Sequence, residues 1–179
     1  MRSLLVTTVL GLGMVVSGAV AAHEVDEEDD RLLQVQVAQQ CHLDVDIRTD
    51  GSEACWTMVC DAEPARRLGC DLSALHQIYD VQLAPDGQHL VVMSVGEGHP
   101  MLEVVTAEPL FDRGDYRAQC TLNPYPGTFG IVTWQDNGLL VVSDVDLAIE
   151  PSELRAASAG EKDHRYLLDP KTCALTPDP

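Results

Sequence analysis

The side chains able to do chemistry fall into four small groups. His23 would become the first residue of the chain if cleavage followed Ala22. A free α-amine and an imidazole on one residue chelate copper, and a second imidazole completes the set. His76, His89, His99 and His164 are the candidates for that second ligand. Against this reading, six acidic residues follow between Glu24 and Asp30, and cleavage after Ala21 would place Ala22 first. The second group is Asp144 and Asp146, with Asp44 and Asp46 as a similar pair. Paired carboxylates can act as acid and base in glycoside cleavage. Two residues apart on a strand they share one face, and alternation with apolar neighbours puts that face toward water. Ser94 and His99 form the third group, but the intervening Val95-Gly96-Glu97-Gly98 suits a hairpin loop better than a nucleophile and its base.

The fourth group is Cys41, Cys55, Cys60, Cys70, Cys120 and Cys173. An even count in an exported chain predicts three disulfides, with fifteen possible pairings. There is no C-x-x-C, so a thioredoxin-like redox site is not expected, and Cys and His lack zinc-finger spacing. The sequence also lacks G-x-S-x-G, the Walker A loop, H-E-x-x-H and the dinucleotide-binding glycine pattern in the mature chain.

Residues 1–22 explain why disulfides are expected. Arg2, the apolar stretch Leu4 to Val16 and the small residues Ala19, Ala21 and Ala22 are the parts of a secretory signal peptide. The apolar stretch is short for a membrane span, and no second one follows. The expected location is secreted or periplasmic, without membrane insertion after cleavage. Removing Arg2 with the signal takes the basic count from 11 to 10, against 29 Asp and Glu. So acidic a surface repels nucleic acid and anionic lipid, and attracts a cationic partner. Residues 23–32 read as an acidic disordered arm, and 33–179 as a single domain.

Within that domain the apolar period is two. Val35 and Val37, then Leu43, Val45 and Ile47, then Tyr79, Val81 and Leu83 alternate with polar residues, Asp80 and Gln82 among them, which fall on the opposite, wet faces. This is the pattern of half-buried strands. Val91-Val92-Met93 and Leu139-Leu140-Val141-Val142 are continuous apolar runs, as in strands buried on both faces. Asp50-Gly51, Asp86-Gly87 and Asn137-Gly138 are hairpin dipeptides. A turn at Asp86-Gly87 pairs Leu83 with Leu90 and Val81 with Val92, and one at Asp50-Gly51 puts Cys41 opposite Cys60. Residues 151–157 predict two helical turns. Trp134, beside a hairpin, is expected to pack in the core.

A weak repeat underlies these elements. APDGQHLVVMSV at 84–95 aligns with WQDNGLLVVSDV at 134–145, and CDAEPARRL at 60–68 with VTAEPLFDR at 105–113. LDPKTCALT at 168–176 fits more loosely, and the unit reads as a strand, a DG or NG turn, a buried strand, a loop, then a strand ending in an acidic-Pro turn. The segments Leu83 to Val92, Leu102 to Pro109, Ile131 to Val142 and Arg165 to Thr172 resemble blades of TolB-type or WD-repeat-like β-propellers. The resemblance implies antiparallel hairpins in about three blades, fewer than a closed propeller needs. The alternative all-β arrangement is a disulfide-stapled β-sandwich. The copper ligand set built on His23 likewise resembles that of copper-dependent polysaccharide oxygenases, which are β-sandwiches.

The expected function is non-catalytic: a protein-binding or structural module of the cell envelope or exterior, with a protein partner of cationic character and no cofactor. The alternative is a copper-binding oxidative enzyme using His23.

Overall fold

A computed structural model describes residues 31–48, 50–71, 77–96, 98–149, 152–160 and 163–178. The expected signal peptide, His23, His76 and the acidic run lie outside the described residues. Among the described residues, twelve strands form three four-stranded antiparallel sheets. The first sheet holds β1 (Arg31–Ala38), β2 (Cys41–Ile47), β3 (Ala54–Cys60) and β4 (Glu63–Cys70). The second holds β5 (Gln77–Leu83), β6 (His89–Gly96), β7 (His99–Thr106) and β8 (Ala118–Leu122). The third holds β9 (Phe129–Gln135), β10 (Gly138–Ser143), β11 (His164–Leu168) and β12 (Leu175–Pro177). Each sheet is a meander of consecutive strands, which makes it blade-like. The described residues do not close a ring of blades. Two short helices interrupt the strands, α1 (Ala107–Arg113) and α2 (Ser152–Ser158).

The second sheet lies between the other two. Leu90 and Val92 on β6 join Leu43, Val45 and Trp56 in one core, while Val91 and Met93 join Leu139, Val141 and Leu168 in another. Alternate side chains of one strand therefore feed two cores, and this is why the run at 91–93 has no polar member. Trp56 is fully buried and meets Tyr116 edge to face, with ring centroids 5.8 Å apart.

Turn chemistry sets the registers. Leu83 pairs with Leu90 and Val81 with Val92, as the sequence predicts. Cys41 stands opposite Cys60, and the two are bonded. The β9–β10 turn is Asp136-Asn137, one residue earlier than the Asn137-Gly138 dipeptide suggests, because Gln135 pairs with Gly138. Gly114 ends α1 at φ 68, and a Cβ there would stand 2.1 Å from the Leu68 carbonyl oxygen, so only glycine fits.

Three expectations need correction. Asp80 and Gln82 do not face water: they lie between the second and third sheets, because the second sheet has a neighbour on each side. There the Gln82 amide donates to Asp80 at 2.7 Å and to the Val132 carbonyl at 3.2 Å. The segment around Glu108-Pro109 is helix, not turn. Pro109 falls within the first turn of α1, where its missing N–H costs nothing. Strand β1 begins at Arg31, so Arg31 and Leu32 pair with Ile47 and Asp46 instead of belonging to the arm.

The repeat keeps its meaning despite the local differences. The aligned segments 84–95 and 134–145 fall on the first hairpin of consecutive sheets. The three segments at 60–68, 105–113 and 168–176 each run from the end of a sheet's third strand into the link toward its fourth, in chain order.

All six cysteines are bonded: Cys41–Cys60, Cys55–Cys70 and Cys120–Cys173. The first two staple neighbouring strands of the first sheet. The third ties β8 to the β11–β12 turn, and so the second sheet to the third. Three such bridges are consistent with an extracytoplasmic protein.

Candidate binding site at the hairpin ends

Face-to-face stacking brings the turns of neighbouring sheets together. At one end of the second and third sheets, three turns meet: 84–88 between β5 and β6, 136–137 between β9 and β10, and 169–174 between β11 and β12. They surround a cavity of about 520 Å³. Asp86, Asp136 and Asp169 line it, one from each turn, together with Lys171, His89 and Trp134. The size is that of a small-ligand or single-side-chain pocket.

Each lining group has a local cause. Asp86 and Asp169 shape their own turns. Asp86 accepts the Gln88 N–H at 2.9 Å; Asp169 accepts the Lys171 N–H at 2.9 Å and the Thr172 hydroxyl at 2.7 Å. The Thr172 hydroxyl, with the Lys171 N–H, holds the Asp169 carboxyl below the usual carboxylate range, so it stays charged. Trp134 is half-buried, and its indole N–H donates to the Gln82 carbonyl at 3.3 Å, which fixes the ring. His89 is only 5% exposed, and its Nδ1 is buried with no hydrogen-bond partner. The Gln119 amide donates to the Lys171 carbonyl at 2.8 Å, and the adjacent Cys120–Cys173 bridge holds the same turn against the second sheet.

The other expected sites come out differently. Asp144 and Asp146 lie beyond the end of β10 and do not share a strand face. Asp144 accepts the Thr128 N–H at 2.6 Å; Asp146 accepts the Tyr166 hydroxyl and, at 3.0 Å, the Ala148 N–H. Both therefore hold loops. Ser94 is fully buried with no partner for its hydroxyl, while the His99 ring packs edge-on against Tyr125 at 4.3 Å. Of the histidines weighed as copper ligands, the three described stand at the starts of three different strands. Among the described residues, Glu53, Cys55 and Cys70 form the one group of three close enough for a metal, and a disulfide occupies both sulfurs. Trp134 packs against the core, as expected, but also lines the cavity.

No protein-family model matches the chain, and no curated protein shows significant similarity to it. The site must therefore be read from its own chemistry. Its convergence has a trace in the sequence: the 84–95 and 134–145 alignment superposes Asp86 on Asp136. Nothing in that alignment shows that stacked sheets bring the two acids to one cavity, or that His89 is left without a partner.

A second cavity, of about 450 Å³, opens at the other end of the second sheet beside Arg31, Arg48 and Tyr79. Arg31 donates to the Tyr79 carbonyl there at 2.7 Å, so its guanidinium serves the junction of the first two sheets.

The Asp146–Tyr166 pair makes a testable prediction. The Tyr166 hydroxyl holds the Asp146 carboxyl below its ordinary 3.8. Burial first, and then the Asp146 bond, push Tyr166 from 10.0 to about 12. Asp146's contribution is present above its unfolded value and is lost as pH falls through the lower folded one. Tyr166's is present below its unfolded value and is lost as pH rises through the higher folded one. Tyr166→Phe is expected to cost about 1 kcal/mol at neutral pH, at the low end because solvent screens Asp146. Denaturant melts across pH should show the gap between the two proteins closing in acid.

Proposed function

We propose that this chain is an exported, non-catalytic module that binds a protein partner of cationic character in the envelope or outside the cell. The hairpin ends of the second and third sheets form the binding surface. One observation carries the reading: three turns from two sheets place Asp86, Asp136 and Asp169 around one cavity, against a single cation, Lys171. The excess of 29 acidic over 11 basic residues extends the same field over the molecule and speeds encounter with a basic partner.

The test is partner capture from the extracellular or periplasmic fraction. Wild type is compared with the triple variant Asp86→Asn, Asp136→Asn, Asp169→Asn. Asn keeps the side-chain acceptor that the turns use and removes only the charge. The expected result is a partner held by wild type at low salt, lost in the variant, and weakened as salt rises from about 0.05 to 0.5 M. Equal capture by both proteins at every salt concentration would rule out this surface.

A further inference from the structure

The Cys55–Cys70 bridge is set apart from the other two by the side chain that touches it. We infer that it is a site of reversible thiol–disulfide exchange, opened by a dithiol reductant while the other two bridges stay closed.

The position of one arginine carries the inference. Trp56 and Met58 of β3 belong to the first core, so Cys55 and Thr57 lie on the opposite, outer face of the first sheet. Cys70 stands across from Cys55, and Arg67 across from Thr57. Arg67 precedes Cys70 by three residues, so simple alternation would put the two side chains on opposite faces. A bulge between Gly69 and Arg67 inserts one extra residue, Leu68, which packs against the core. Arg67 is thereby brought to the outer face, where its guanidinium donates to both sulfurs. Arg66 is used differently: it donates to the Phe111 and Asp112 carbonyls and so holds α1.

A disulfide opens when a thiolate attacks one sulfur and the other leaves as a thiolate. Cys55 is buried and Cys70 is half-buried, so the attack falls on Cys70. A bond from the reductant's sulfur to Cys70 forms as the Cys55–Cys70 bond breaks. Cys55 leaves with the electron pair, as a thiolate stabilised by the Arg67 guanidinium. The reductant's second thiolate then displaces Cys70. The dithiol is oxidised to its disulfide, the two cysteines gain two electrons, and the dithiol's two protons pass to them. A disulfide of the same class reverses the steps. The Glu53 carboxylate lies within 4.8 Å of both sulfurs and opposes Arg67, but Arg67 is in direct contact with them. The other bridges have no such cation among the described contacts. Cys120 and Cys173 face carbonyl oxygens, of Pro170 at 3.7 Å and Gln119 at 3.2 Å, which disfavour a thiolate. Cys41 and Cys60 pack against the first core.

The test is timed reduction of the intact protein with dithiothreitol, trapping with iodoacetamide, and peptide mapping. Trp56 fluorescence reports whether the first core is still packed. The internal reference is Cys41–Cys60, in the same sheet and with a sequence separation of 19 against 15. Cys55 and Cys70 are expected to be labelled about tenfold faster than Cys41 and Cys60, with the fluorescence unchanged. Arg67 is exposed, so Arg67→Gln leaves the core intact. That variant should open Cys55–Cys70 about threefold to tenfold more slowly and leave the Cys41–Cys60 rate as it was; Arg67→Lys should restore part of the loss. Equal rates for the two bridges overturn the inference, and so does labelling that begins only once the fluorescence reports unfolding. An Arg67→Gln rate equal to wild type also overturns it, because exposure alone would then explain the order.

Discussion

Replacing either Leu90 or Leu102 with alanine should lower the unfolding free energy by about 2–5 kcal/mol. Both side chains are fully buried, yet they belong to different cores: Leu90 between the first and second sheets, Leu102 between the second and third. Each substitution loses the transfer free energy of the removed atoms and leaves a cavity among neighbours that relax only partly. Leu32→Ala is the control, because Leu32 is 52% exposed and its loss should fall within about 0.5 kcal/mol of zero. Urea or guanidinium unfolding with an unchanged slope would measure all three. If only one of the buried leucines mattered, the second sheet would have a single packed face and the three-layer arrangement would be wrong.

Removing the Cys120–Cys173 bridge should cost about 4 kcal/mol. Its sequence separation is 53, against 19 and 15 for the other two bridges, so it constrains the unfolded chain most. It also joins two sheets, whereas the other two lie within one. The double variant Cys120→Ala, Cys173→Ala should therefore unfold at lower denaturant than either Cys41→Ala, Cys60→Ala or Cys55→Ala, Cys70→Ala. It should also weaken partner capture while still folded, because the 169–174 turn carries Asp169 and is held in place by that bridge. Equal destabilisation by all three pairs would show that loop length does not govern their contributions.

The fold was legible where pattern and turn chemistry act locally. Period-two alternation marked β1, β2 and β5, and the unbroken apolar runs marked β6 and β10 as doubly covered. The hairpin at Asp86-Gly87 fixed its register, and the one at Asp50-Gly51 put Cys41 opposite Cys60. Alternation failed at Asp80 and Gln82, since a polar residue between two sheets looks the same in sequence as one facing water. It failed again at Asp144 and Asp146, because nothing local marks the end of β10 at Ser143.

The cavity was less legible, for a physical reason. Asp86, Asp136 and Asp169 are ordinary turn acids one at a time, and His89 is an ordinary first residue of a strand. Their significance comes from stacking two sheets with their turns in line, a long-range relation that no window of residues contains. Trp134 shows the same limit: beside a hairpin it reads as core, and only the neighbouring turns make its ring a cavity wall. The blade-like meander is likewise visible in the repeat, although the described residues do not close a propeller ring.

The proposed docking of a partner at the hairpin ends of the second and third sheets is open to a direct measurement. Carbodiimide cross-linking of the exported protein in its native fraction, followed by peptide mapping, tests it most directly, because the reagent joins carboxylates to amines already in contact. Partner lysines joined to Asp86, Asp136 or Asp169 are the expected result. Links confined to acids elsewhere, such as Asp44 and Asp46 of the first sheet, would contradict it.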